Sequence, residues 1–180
     1  MTYEIVIAGF GGQGVLSMGK ILAYSGLMEG KNVSWMPSYG PEQRGGTSNV
    51  TVIVSDEPVS SPVVNEYDVV IVLNQPSLDK FESKVKPGGL LLFDSNGIHR
   101  LPKRKDIKVC QVDATEEALH MGNQKVFNML VLGGMLKEAP VVKIEGIEKG
   151  LMKSLPERHH KLIPMNIEAI QRGMEIVKEL

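Results

Sequence analysis

The sequence predicts an α/β domain: a single doubly wound, mostly parallel sheet with a helical C-terminal third. Three observations carry that expectation. Short apolar, β-branched runs lie at residues 5–8, within 68–73 and at 90–93, and such runs mark strands buried on both faces. The first run ends in glycines at 9, 11, 12 and 14, and the apolar spacing then switches to a helical period. From residue 113 onward the pattern is helical.

The elements follow in order. Residues 5–8 form the first strand. Val15, Leu16, Met18, Ile21, Leu22, Ser25 and Leu27 then make a helical stripe, which Gly30 stops. A second strand over 33–36 ends at Pro37, so the N-terminal third reads as a βαβ unit. Residues 38–48, SYGPEQRGGTS, read as a loop, longer than an ordinary connection. Strands follow at 49–55 and 68–73. Pro76 opens a helix that carries Leu78, Phe81 and Val85. Residues 87–89, Pro-Gly-Gly, read as a turn before the strand at 90–93, and 107–112 completes the expected β content. Asp113 or Thr115 caps a helix running to about Met121. Three more helices are expected from Val126 to Leu136, over 142–155 and over 163–177, with Gly133 and Gly134 permitting close packing in the first of them. The whole, residues 1–180, reads as one Rossmann-like domain.

Composition narrows the function. Lys and Arg number 20 against 21 Asp and Glu, for a formal net charge of −1. Nucleic-acid binding, which needs a basic excess, is therefore not expected. Cys110 is the single cysteine, so this chain cannot close a disulfide or hold an iron–sulfur cluster with its own thiols. No apolar run approaches the ~20 residues of a membrane span, and no secretory pattern opens the chain. A cytoplasmic protein without membrane contact is expected.

GFGGQG places Gly9, Gly11 and Gly14 at the spacing G-x-G-x-x-G between a strand and a helix, the context that gives the motif meaning. Glycines there let a ligand approach the backbone, and the first helix amides favour an anion. The packing of helix on strand is the plainer alternative use of the same glycines. A dinucleotide site also carries an acid near the end of the second strand. Here that stretch, Asn32 to Pro37, has none, which disfavours a nicotinamide cofactor. The loop at 38–48 should lie on the same sheet edge, with Arg44, Gly45, Gly46, Thr47, Ser48 and Asn49 as anion-binding groups. An exposed Glu42–Arg44 pair is the alternative reading of that loop.

Taken together, GFGGQGVLSMGKILAYSG, PSYGPEQRGGTSNVTVIVSDEPVSSP and VVIVLNQPSLDKF resemble the gamma subunit of 2-oxoacid:ferredoxin oxidoreductases, the family of the 2-oxoglutarate, 2-oxoisovalerate, pyruvate and indolepyruvate enzymes. The likeness is close from residue 5 to 81 and looser beyond. It implies oxidative decarboxylation of a 2-oxoacid, 2-oxoglutarate or a branched-chain acid, to an acyl-CoA. Thiamine diphosphate, Mg and iron–sulfur clusters would sit on partner chains: thiamine-binding alpha and beta subunits, and a ferredoxin-like delta subunit where present. Ferredoxin would accept the electrons, and the isolated chain would be inactive. Carried over to this sequence, the resemblance makes this chain a coenzyme A carrier and an aid to assembly. Gly9, Gly11, Gly12, Gln13 and Gly14 would face the coenzyme A phosphates, covered by Ser38, Arg44, Gly45, Gly46 and Thr47, with Asn74 on the same edge. No catalytic residue and no metal ligand is assigned. A purely structural assembly subunit and a free-standing nucleotide-binding regulator remain as alternatives.

Other residues read as structural. Cys110 is a buried thiol, His159 and His160 are surface or interface residues, and Lys103 to Lys105 form a solvated turn. Met121, Met129 and Met135 are core residues or an adaptable interface. Trp35 and Met36 are candidates for a partner contact or for burial.

Overall fold

The computed structural model describes residues 1–39 and 47–180. Its strands are β1 (Thr2–Phe10), β2 (Asn32–Tyr39), β3 (Thr47–Ser55), β4 (Tyr67–Val72), β5 (Val85–Asp94), β6 (Lys108–Val112) and β7 (Lys178–Glu179). They form one sheet in the order β2-β3-β1-β4-β5-β6-β7. Strands β1, β4, β5 and β6 are mutually parallel neighbours. Strand β3 runs antiparallel to both β1 and β2, so β2 points the same way as β1. Strand β7 opposes β6. The sheet is thus mostly parallel, as its apolar runs require.

Four local expectations are corrected. The βαβ unit is split, because β3 inserts between β1 and β2 and takes Val50, Val52, Ile53 and Val54 into the interior. Strand β2 does not stop at Pro37 but runs on to Tyr39. It is the sheet's edge strand, where a residue lacking an N–H is tolerated. The loop expected over 38–48 therefore shrinks, since Ser38 and Tyr39 end one strand and Thr47 and Ser48 begin the next. Val85 does not extend a helix. It pairs with Tyr67 and opens β5, and 87–89 become an irregularity within that strand's ladder. Strand β7 was not foreseen, because two residues give no period to read.

Six helices cover the sheet: α1 (Val15–Met28), α2 (Gln75–Phe81), α3 (Ala114–His120), α4 (Phe127–Glu138), α5 (Ile144–Ser154) and α6 (Ile163–Ile176). One face carries the larger core. Ile5, Ile7, Val52, Ile71, Leu92 and Cys110 meet α1 and α4 there, with α5 and α6 packed behind. The other face is thinner: Val6, Val70, Val72, Leu91 and Phe93 pack on Leu78 and Phe81 of α2. Alternation along each strand sends neighbouring residues to the two cores.

Helix α4 is buried from Met129 through Leu136, as a helix apolar all round must be. It crosses α6 at very close range. A methyl added at Gly133 would meet the Ile170 carbonyl at 2.0 Å, and one at Gly173 would meet the Leu130 carbonyl at 2.0 Å. The close packing expected of Gly133 is present. Met129 and Met135 are core residues, which removes them as an interface.

Candidate functional site

The parallel strands end at one edge, and there the chain turns from β1 into α1. The Gln13 amide closes the turn on the Phe10 carbonyl at 3.2 Å. The Gln13 side chain then works as a strut. Its Oε1 accepts from the Phe10 amide at 2.6 Å, and its Nε2 donates to the Leu73 carbonyl at 3.2 Å. It ties the end of β1 to the residue that follows β4. Gly9 leaves room for this strut, since a methyl there would stand 2.5 Å from Gln13 Oε1.

Gly12 and Gly14 adopt φ of 95° and 78°, a region L side chains rarely enter. They differ in surroundings. A methyl on Gly14 would press on Asn128 at 3.0–3.3 Å, whereas one on Gly12 would meet nothing within 4 Å among the described residues. Among the described residues nothing stands over Gly12, which is exposed. Helix α1 starts immediately after, with no side-chain cap and no acidic residue in its first turn. Its leading amides and the positive end of its dipole therefore face that open space uncompensated.

Asn74 stands at the same edge. It is 3% exposed, and its Oδ1 accepts from the Ser77 amide at 2.8 Å, capping α2. Its Nδ2 has no hydrogen-bond partner among the described residues. A buried donor left open costs free energy unless something supplies the acceptor. The β2–β3 hairpin closes the edge from the other side. Thr47 lies opposite Phe10, Ser48 opposite Gly9 and Tyr39, and Ser38 opposite Asn49. The structure thus brings Gly9, Gly11, Gly12, Gln13, Gly14, Ser38, Thr47 and Asn74 to one edge. Arg44, Gly45 and Gly46 lie outside the described residues.

Sequence reasoning missed two residues here. Asn128 rests on Gly14 from the first turn of α4, a partner too distant in sequence for any local pattern to reveal. Asp113 is the N-cap residue of α3, but the side chain that satisfies the helix start is that of Asp94. Its carboxylate takes the Ala114 and Thr115 amides and the Thr115 hydroxyl at 2.7–3.2 Å, while the Asp113 side chain makes no capping bond. Burial pushes the Asp94 carboxyl up, against the pull of those donors.

The opposite edge is built otherwise. Lys86 bridges Glu4 at 2.5 Å and Asp68 at 3.1 Å, and Lys108 pairs with Glu138. Burial works against the Lys86 charge, but the two carboxylates outweigh it and hold the ammonium above its ordinary value. Beside α2, Glu82 receives the amides of Lys103 and Arg104 and the Arg100 guanidinium. Burial raises its carboxyl, and those donors more than offset this, leaving it below the usual range. Arg104 also clasps the Glu82 and Val85 carbonyls and Asp106, so the turn expected to be merely solvated is a structural clasp.

The residues set aside behave as follows. Cys110 is fully buried, and burial pushes its thiol up to about 11, so it stays protonated and unreactive. His160 bonds the Leu155 carbonyl at 3.0 Å. Trp35 and Met36 remain 40% and 37% exposed on the edge strand. Among the described residues no three His, Cys, Asp or Glu converge as metal ligands, and no helix is long and apolar enough to cross a membrane.

Comparison with known proteins shows what the chain is similar to. A family model described as pyruvate ferredoxin/flavodoxin oxidoreductase matches residues 4–176. The ketoisovalerate oxidoreductase subunit VorA of Methanothermobacter thermautotrophicus is 41% identical over 176 residues, which are 98% of this chain and 36% of that protein. The chain spans about a third of the length of this relative. The gamma subunit of a keto/oxoacid ferredoxin oxidoreductase from Geobacter sulfurreducens superimposes with a TM-score of 0.83 at 34% identity, over 98% of this chain and 96% of that one. A 2-oxoglutarate:ferredoxin oxidoreductase from Magnetococcus marinus, solved with 2-oxoglutarate, coenzyme A and succinyl-CoA bound, shares the fold with a TM-score of 0.86 at 21% identity, over 97% of this chain and 31% of that one.

Proposed function

This chain belongs to the pyruvate ferredoxin/flavodoxin oxidoreductase family, as a gamma-type subunit, and from that premise we propose that it presents coenzyme A within a 2-oxoacid:ferredoxin oxidoreductase. The complex oxidatively decarboxylates a 2-oxoacid, 2-oxoglutarate or a branched-chain acid, and conserves the acyl group as a thioester. Thiamine diphosphate, Mg and iron–sulfur clusters belong to partner alpha, beta and delta subunits, with ferredoxin as electron acceptor. The relatives named for ketoisovalerate and 2-oxoglutarate support the substrate class.

One observation carries the coenzyme A role: among the described residues α1 begins without a side-chain cap, behind an exposed Gly12 that nothing crowds. A pyrophosphate fits such a start, because amide donors and the helix dipole act together on an anion. The Asn74 Nδ2 donor, buried and unpaired, adds a second group suited to a phosphate or amide oxygen. When bound, coenzyme A supplies the thiol that accepts the acyl group. This chain's residues bind and orient it: Gly12, Gly14 and α1 at the phosphates, with Ser38 and Thr47 from the hairpin and Arg44 as the cation. The absent ribose acid agrees with this ligand, since a carboxylate would repel its 3′-phosphate.

An assembly-only role has one observation in its favour. Gly9 and Gln13 serve packing, and Gly14 has Asn128 against it. Gly12 has no such packing use among the described residues, which favours the coenzyme A reading. Co-isolation from the native cell at low salt tests the reading. The expected eluate contains thiamine-binding and cluster-bearing chains and oxidises a 2-oxoacid only with coenzyme A. An Arg44→Ala subunit in that complex raises the KM for coenzyme A. Recovery of this chain alone, without that activity, would overturn the reading.

A further inference from the structure

We propose that Lys125 and Asn128, at the start of α4, are further coenzyme A-binding residues, Lys125 as a cation and Asn128 as a neutral hydrogen-bonding arm. The inference rests on the coenzyme A reading above and extends that site to the C-terminal half of the chain. Coenzyme A carries a pyrophosphate and a 3′-phosphate, while residues 9–17, the glycine turn and the first turn of α1, contain no basic side chain. Several negative charges at one sheet edge need cations as well as amides.

The structure supplies a candidate from the far side of the turn. Asn128 lies against Gly14, with its Nδ2 3.0 Å and its Cβ 3.1 Å from where a Gly14 methyl would stand. Its amide is partly exposed and makes no hydrogen bond among the described residues. A 3-10 turn, Gln124–Val126, runs directly into α4, so Lys125 and Asn128, three positions apart, lie on one side of the continuous segment. The other side is fixed in the core by Val126, Met129 and Leu130. The turn is also pinned locally. Asn123 Oδ1 accepts from the Lys125 amide at 3.0 Å, and Asn123 Nδ2 contacts the Met165 sulfur at 2.9 Å.

Lys125 is exposed and forms no ion pair among the described residues. It shares that freedom with other surface lysines, and its place one turn from Asn128 is what sets it apart. The buried, unpaired Nδ2 of Asn74 is a separate sign that this edge is completed by a ligand. Asn128 rests on Gly14, Lys125 lies one turn back along the same side, and in this proposal its ammonium flanks a phosphate seated on α1.

Equilibrium dialysis of labelled coenzyme A against the assembled complex tests this, with ionic strength as the second variable. Lys125→Met is expected to weaken binding about tenfold, the effect of one charge-assisted contact at a partly exposed site. It should also flatten the salt dependence of the Kd, while Lys125→Arg keeps both near wild type. Asn128→Ala is expected to weaken binding about threefold without changing the salt slope. Lys137→Met, at the other end of α4, is the charge control and should change neither. If Gly12→Val weakens binding but Lys125→Met does not, this inference fails and the coenzyme A reading stands. If neither variant weakens binding, the coenzyme A reading fails with it.

Discussion

The two ends of the central sheet follow opposite rules. Where the parallel strands begin, charge is matched: Lys86 sits between Glu4 and Asp68, and Lys108 pairs with Glu138. Where they end, polar groups are left over. Helix α1 starts without a cap, Asn74 keeps an unpaired donor, and Asn128 and Lys125 have no polar side-chain partner among the described residues. Both ends belong to the same core and bear the same need to satisfy polar groups. Among the described residues one end is satisfied within the chain and the other keeps open donors, the end at which the proposed ligand would bind. Neighbouring helix starts sharpen the point, because Asn74 caps α2 and Asp94 caps α3 at that same edge. The chain caps helices there readily, and α1 is left open.

The largest effect expected from breaking this contrast is at Gly12. Gly12→Val should raise the KM for coenzyme A roughly 30-fold, about 2 kcal/mol of binding. The forced left-handed backbone should cost only about 1 kcal/mol of stability. Steady-state kinetics of the complex and urea unfolding of the subunit check the two values. Asn74→Asp comes next. It keeps the oxygen that caps α2 but exchanges the open donor for a charge that repels phosphate. Coenzyme A affinity should fall about tenfold, and the unfolding midpoint should also fall, because the new carboxylate is buried. Lys86→Met probes the matched end. About 1 kcal/mol of stability should be lost, since the ion pairs are about one-third exposed and partly screened. The KM for coenzyme A should not move.

The smallest effects separate two carboxylates by pH. Glu82 has a lowered folded value, so its stabilisation is present above the ordinary carboxylate pKa of about 4.3. It disappears as pH falls through the lower folded value. Asp94 has a raised folded value, so its contribution is present below about 3.9 and disappears as pH rises through that folded value. Glu82→Gln should therefore make the loss of stability on acidification shallower, and Asp94→Asn should make it steeper. Urea midpoints at pH 7 and pH 4 read both.

Much of this was legible in the sequence where the signal was local and periodic. The all-apolar strands, the glycine turn, the stripe of α1 and the buried α4 follow from residue spacing alone. Pairing was not legible. Nothing in 32–39 announces that β3 separates β2 from β1, because insertion of a strand leaves each strand's own alternation unchanged. Pro37 was misleading for a physical reason: it ends strands inside a sheet but not on an edge. The glycine motif pointed to the candidate site but not to the division of labour within it. Gly9 and Gln13 serve packing, while Gly12 faces open space, and only the contacts around each distinguish them. Asn128 and Asp94 were hidden because each acts across the fold on a distant segment.

Photolabelling of the assembled complex with an adenine-modified, photoreactive coenzyme A tests the central claim most directly. Label that unmodified coenzyme A competes away should appear on peptides of this chain from the 11–17 turn and the 122–128 segment. Competed label confined to partner subunits, in a complex that contains this chain intact, would contradict the account.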